Sequence, residues 1–74
     1  MTIRLNGEPH ELAGPMTISE LLAALGINPL VVAVEHNLRI VKRDRYADTR
    51  IAEGDEVEVV NFVGGGQHVG TFRT

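Results

Sequence analysis

Apolar and polar side chains alternate over residues 2–6, with Ile3 and Leu5 on one side and Thr2, Arg4 and Asn6 on the other. A period of two marks a strand with one buried face. Asn6-Gly7 follows, and this pair favours the tight two-residue hairpin turn in which both central residues take positive φ. A second strand is expected over residues 10–13, with Pro9, which has no N–H, near its start or on a sheet edge. After Gly14-Pro15 the period changes. Ile18, Leu21, Leu22 and Leu25 fall at i, i+3, i+4 and i+7, one face of a helix over residues 18–25. Thr17 and Glu20 form a capping box at its start, Gly26 stops it and Pro29 prevents its continuation. Two turns of helix are not stable alone, so the helix must pack on a sheet.

The run over residues 30–34 is continuously apolar and predicts a strand buried on both faces. Glu35-His36-Asn37 reads as a turn, and residues 38–41 as a short strand. Residues 42–50 are polar and irregular, with Tyr46 and Ala47 as packing points. Glu53-Gly54-Asp55 is a further turn, after which Val57 and Val59 alternate with Glu58 and Val60 in a last strand leading into Gly64-Gly65-Gly66. The expected core is Ile3, Leu5, Leu12, Ile18, Leu21, Leu22, Leu25, Val32, Val34, Ile40, Ile51, Val57 and Val59. The order ββ, helix, β, short β, loop, β predicts a mixed α+β sheet of four or five strands with one helix across one face. Its first and last strands pair in the centre, because parallel neighbours need a crossover connection.

Composition narrows the chemistry. Seventy-four residues make one domain, and a core that small is worth only about 3–5 kcal/mol. There is no cysteine, which removes disulfides, thiolate metal sites and thiol nucleophiles. Seven Lys and Arg face ten Asp and Glu, and no basic run exceeds two residues, so nucleic acid is not an expected partner. No stretch approaches the length of a membrane span and no signal-peptide apolar region is visible, so no membrane partner is expected and the cytoplasm is the default location. His10, His36 and His68 are isolated, and none has the spacing of a metal-ligand set. They read as exposed loop or edge histidines. No acid, base or nucleophile constellation stands out, so the chain is not read as an enzyme.

The glycines remain. No lysine follows them, which weakens a phosphate-loop reading. Composition alone allows a flexible linker to a tail. A glycine stretch without Cβ atoms is also thin enough to enter a narrow channel in another protein. Three segments, Asn6-Gly7-Glu8, the Thr17-Ile18-Ser19-Glu20-Leu21-Leu22 helix start and the run over residues 53–66, together resemble the thiamine-biosynthesis sulfur carrier (ThiS) family. Residues 32–37 and 48–50 fit the same pattern, and the resemblance covers residues 1–66.

The resemblance implies a ubiquitin-like β-grasp fold: a domain over residues 1–63, a reactive tail over 64–66 and an extension over 67–74. It implies a carrier that binds no cofactor. Its terminal Gly66, preceded by Gly65, is adenylated with ATP by an E1-like adenylyltransferase and converted to a thiocarboxylate with sulfur from a persulfide protein. Thiazole synthase then uses that sulfur. Gly64, Val63 and Phe62 are expected to enter the partner with the tail, and Val60, Phe62 and Leu38 are candidate contacts on the surface. The triple glycine leaves the register open between Gly65 and Gly66, with Gly66 preferred.

One departure from the family stands out. Its members usually stop at the glycine pair, whereas here residues 67–74 follow, leaving the Gly66 carbonyl an ordinary amide. A tail-removing protease, an artefact, and a non-covalent ubiquitin-like interaction module that no longer carries sulfur are the explanations, in that order. The small subunit of molybdopterin synthase, and carriers for other pathways, are the alternative relatives. Residues beyond Val63 are expected to be mobile unless a partner or a crystal neighbour holds them.

Overall fold

A computed structural model describes residues 1–63 and 68–71. In chain order it contains strands β1 (Thr2–Leu5), β2 (Glu8–Glu11) and β3 (Met16–Thr17), helix α1 (Ile18–Ala24), and strands β4 (Val32–His36), β5 (Arg39–Val41), β6 (Arg50–Ile51), β7 (Glu56–Val63) and β8 (His68–Thr71). Single 3-10 turns lie at Pro29–Val31 and Arg43–Arg45. The main sheet has the order β2-β1-β7-β4-β5, with β8 added alongside β7. β1 and β7 run parallel at its centre and every other pair is antiparallel, as the element order predicts. β3 and β6 form a small separate pair. One helix packed on a mixed sheet with this central parallel pair is the β-grasp arrangement.

Local signals and local structure agree at both turns of the N-terminal half. Asn6 and Gly7 have φ of 52° and 83°, as their hairpin turn requires. The Glu20 N–H donates to Thr17 Oγ1 at 3.2 Å and the Thr17 N–H donates to Glu20 Oε1 at 2.8 Å, so the capping box is closed. Gly26, at φ 70°, follows the helix.

The core joins one face of the sheet to α1. Ile3, Ile18, Leu21, Leu22, Val34, Val57 and Val59 are all but fully enclosed. Leu5, Leu12, Val32 and Ile51 are buried as well, but the other two expected core residues are not. Ile40 is 78% exposed and Leu25 is only partly buried. Ile40 pairs with Glu35 across the β4–β5 ladder and shares its face, the one turned away from the helix. Leu25 is the residue that caps the helix, where the face turns from the core. Ile27 and Tyr46 complete the core instead. Burial pushes the Tyr46 hydroxyl above its usual range, against the pull of Arg43. That hydroxyl donates a long hydrogen bond of 3.4 Å to the Val32 carbonyl. Ala47, the other expected packing point, is exposed.

Two boundaries move. The second strand lies two residues earlier than its pattern, because the Asn6-Gly7 turn fixes Leu5 opposite Glu8 and so places Pro9 opposite Arg4 on the sheet edge. The apolar run over residues 30–34 is not one strand. Pro29–Val31 is a 3-10 turn whose start is held by Asn28, and β4 begins only at Val32 and continues through Glu35 and His36, the expected turn.

The turn falls at Asn37-Leu38, with φ of 52° and 69°. A leucine in the left-handed region costs about 1–2 kcal/mol relative to glycine. Leu38 is 81% exposed and buries almost nothing in return. Leu38→Gly is therefore expected to raise stability by about 1 kcal/mol, read as a higher denaturation midpoint with an unchanged denaturant slope.

Candidate functional site

The strand that ends at the glycines is the most firmly held element of the sheet. β7 pairs with β4 from Val57 to Asn61 on one edge. On the other edge β1 covers only Glu56 and Val57. Val57 and Val59 are fully buried, and Val60 and Asn61 are half-buried. Asn6 adds a clamp that its turn role does not reveal. It is buried, its Oδ1 accepts from the Val59 N–H at 2.8 Å, and its own N–H donates to the Val57 carbonyl at 2.9 Å. The hairpin turn thus continues the β1 edge one step further along β7. The sequence reading placed Asn6 among the solvent-facing residues. Only its asparagine identity, rather than the glycine or aspartate that also suit such turns, hints at a second role.

Of the expected site residues, Phe62 and Val63 are the last two positions of β7. Gly64, Gly65 and Gly66 lie outside the described residues. The expectation that the chain beyond Val63 is mobile does not hold for His68–Thr71. These residues form β8 and pair antiparallel with Val60–Val63. The physical reason is an unfilled edge. β1 and Asn6 reach no further than Val59, so on that edge of β7 the backbone groups beyond it have no partner until β8 supplies one.

At the opposite end of β7, His36 Nε2 lies 2.7 Å from Asp55 Oδ2, and the same carboxylate accepts from the Ala52 N–H at 2.8 Å. The Glu56 N–H donates to Asn37 Oδ1 at 2.9 Å. These contacts tie the β4–β5 turn to the start of β7. The His36 side chain is 19% exposed, so it is a structural partner rather than the free loop histidine its neighbours suggest. Partial burial pushes the Asp55 carboxyl up, but its bonds to Ala52, His36 and Asn37 outweigh this and hold it below its ordinary value of 3.8. A lowered folded-state pKa contributes stability in full above the unfolded value, and that contribution is lost as pH falls through the folded one. Asp55→Asn should therefore lower stability at neutral pH and flatten its acid dependence below about pH 4, measured by denaturant titration across pH. Among the described residues no group of three or more His, Asp or Glu side chains converges as a metal site. No helix among them is long and apolar enough to cross a membrane.

Comparison with known proteins bears on the tail directly. The model of the ThiS family matches residues 3–66, a stretch that ends on the third glycine. The chain belongs to the ThiS family. The sulfur carrier protein ThiS of Bacillus subtilis is 40% identical over 50 residues, covering 68% of this chain and 76% of that protein. The crystal structure of the thiamine biosynthesis protein ThiS from Geobacter metallireducens superposes with a TM-score of 0.80 at 35% identity, over 89% of this chain and all of that one. A thiazole synthase of Magnetococcus marinus is 48% identical over 68 residues, which are 92% of this chain and 21% of that protein. A second, from Paramagnetospirillum magneticum, is 42% identical over 66 residues. The chain thus spans about a fifth of the length of these two relatives. The ubiquitin-like fold expected from the resemblance and the family itself are as anticipated.

Proposed function

We propose that the protein carries sulfur for thiazole formation in thiamine biosynthesis, as a thiocarboxylate on Gly66. The observation that carries this reading is the family match, which extends through β7 and stops at Gly66. The Bacillus relative is named a sulfur carrier, and two further relatives are named thiazole synthases.

The chemistry suits a chain that supplies a scaffold and leaves catalysis to partners. A carboxylate is a poor electrophile. In the proposed cycle a protease first removes residues 67–74, freeing the Gly66 carboxylate. A carboxylate oxygen attacks the α-phosphorus of ATP on an E1-like adenylyltransferase, and pyrophosphate leaves. A protein persulfide then attacks the acyl carbon and AMP departs. A thiol of the donor cleaves the resulting sulfur–sulfur bond, leaving the thiocarboxylate and a disulfide. Thiazole synthase receives the sulfur. β7 contributes a fixed origin for the tail, and the glycines contribute a backbone narrow enough to reach a buried reaction centre.

The test is isotope exchange between pyrophosphate and ATP on the purified adenylyltransferase of the same cells. Exchange that depends on a chain ending at Gly66, and is absent with the full chain, supports the reading. Equal exchange with both chains contradicts it.

A further inference from the structure

Leu30 and Val31 are unexplained by the fold. They are 62% and 42% exposed, although they open the most apolar run in the sequence. They are also rigidly presented. Pro29 begins their 3-10 turn, the Leu30 N–H donates to Asn28 Oδ1 at 2.9 Å, and the Val31 N–H donates to the Asn28 carbonyl at 3.2 Å. Two apolar side chains fixed in water cost free energy that a polar pair in the same turn would avoid.

Their position is specific. The register pairs Val32 with Asn61, so the turn lies immediately beyond that pair, at the end of the sheet where β7 leads to Gly64. β8 covers the other edge of β7 and leaves this side open. Lys42 follows β5 at the level of Ala33, one step past the Val34–Val41 pair, and is exposed. Arg43 comes next and acts on Tyr46, whose hydroxyl reaches the Val32 carbonyl. Neither cation is in an ion pair among the described residues, and of residues 42–45 only Asp44 is acidic. An apolar pair with a cationic flank therefore borders the β4 side of the tail's exit.

We propose that Leu30 and Val31, flanked by Lys42 and Arg43, dock the protein against thiazole synthase, through an apolar seat on the synthase rimmed by carboxylates. This rests on the sulfur-carrier reading and adds to it the surface that guides the tail. Charge complementarity sets the chemistry of the seat. The choice of occupant follows from the Magnetococcus protein, in which a stretch similar to this chain makes up 21% of a thiazole synthase. In such a protein the similar stretch and the remainder share one chain, which keeps them at high effective concentration for each other. An apolar patch within a polar rim is the usual anatomy of a protein–protein interface.

The experiment is a binding titration of the purified full chain with the purified thiazole synthase of the same cells. Two double variants and one single variant are compared. Leu30→Glu with Val31→Glu is expected to raise Kd by at least about tenfold. Lys42→Glu with Arg43→Glu is expected to slow association and reduce its salt dependence. Ile40→Glu, at a residue 78% exposed on β5 and away from this turn, leaves Kd unchanged. Thermal midpoints near that of the parent show that all three variants fold. An unchanged Kd in the Leu30/Val31 variant, or no binding by the parent chain, overturns the docking face. So does weakened self-association of the Leu30/Val31 variant without loss of synthase binding, since that assigns the face to a second copy of the chain. Pyrophosphate exchange judges the sulfur-carrier reading separately, so either idea can fail alone.

Discussion

Replacing Gly66 with tryptophan is expected to leave the domain folded and to cut thiocarboxylate formation by at least about a hundredfold. Gly66 is three residues past the end of β7 and, as a glycine, has no side chain to lose. The substitution places an indole where the proposed reaction needs a bare backbone and an unhindered carboxylate. The barrier rises because the carboxylate oxygen can no longer approach the α-phosphorus of ATP in line, and misplacement on the order of 1 Å has effects of this size. The readout is the thiocarboxylate fraction of the protein isolated from its own cells, alongside its thermal midpoint. Undiminished loading of a folded variant would move the reactive residue to Gly65 or elsewhere.

The second large effect is on stability, and it concerns Asn6. Asn6→Ala should cost about 2–4 kcal/mol. The substitution leaves the buried Val59 N–H without the acceptor it now has at 2.8 Å. A buried donor without a partner costs about 1–3 kcal/mol. The substitution also puts a Cβ-bearing residue with no local polar compensation at φ 52°, which adds about 1 kcal/mol or more. Against a total stability of about 3–5 kcal/mol, the variant should be substantially unfolded at ordinary temperature. Asn6→Asp keeps an acceptor and the tolerance for this backbone, so it should lose much less. Asn6→Gly keeps the tolerance for this backbone and removes the acceptor, so denaturant titration of it beside Asn6→Ala separates the hydrogen bond from the turn geometry. An Asn6→Gly variant as stable as the parent would show that the Val59 contact contributes little.

What the sequence reveals here is mostly what short-range physics decides. The Asn6-Gly7 turn, the Thr17–Glu20 box and the 3.6-residue period of α1 are written within a few residues of where they act. The central pairing of β1 with β7 follows from element order and the need for a crossover. Tyr46 stands out as a packing point in the polar stretch over residues 42–50 and is buried, whereas Ile27 belongs to no periodic stretch, so only the assembled sheet and helix reveal its burial. Ile40 satisfies a strand pattern yet faces away from the helix, because register and not composition selects the face. The apolar run over residues 30–34 conceals a boundary that Asn28-Pro29 does signal, as a cap followed by a proline in the first turn. β8 is invisible from its own composition, since what recruits it is the edge that β1 leaves unfilled on the preceding strand, β7. The candidate site shows the same division. The glycines stand out in the sequence and the family match ends on Gly66, whereas the clamp by Asn6 and the exposure of Leu30 and Val31 emerge only from the three-dimensional arrangement.

The most direct test of the sulfur-carrier account is the intact mass of the protein purified from its own cells in thiamine-free medium. The account predicts a chain that ends at Gly66, part of it heavier by the exchange of one oxygen for sulfur. A chain that retains residues 67–74 at every stage of growth, with no such exchange, would contradict it.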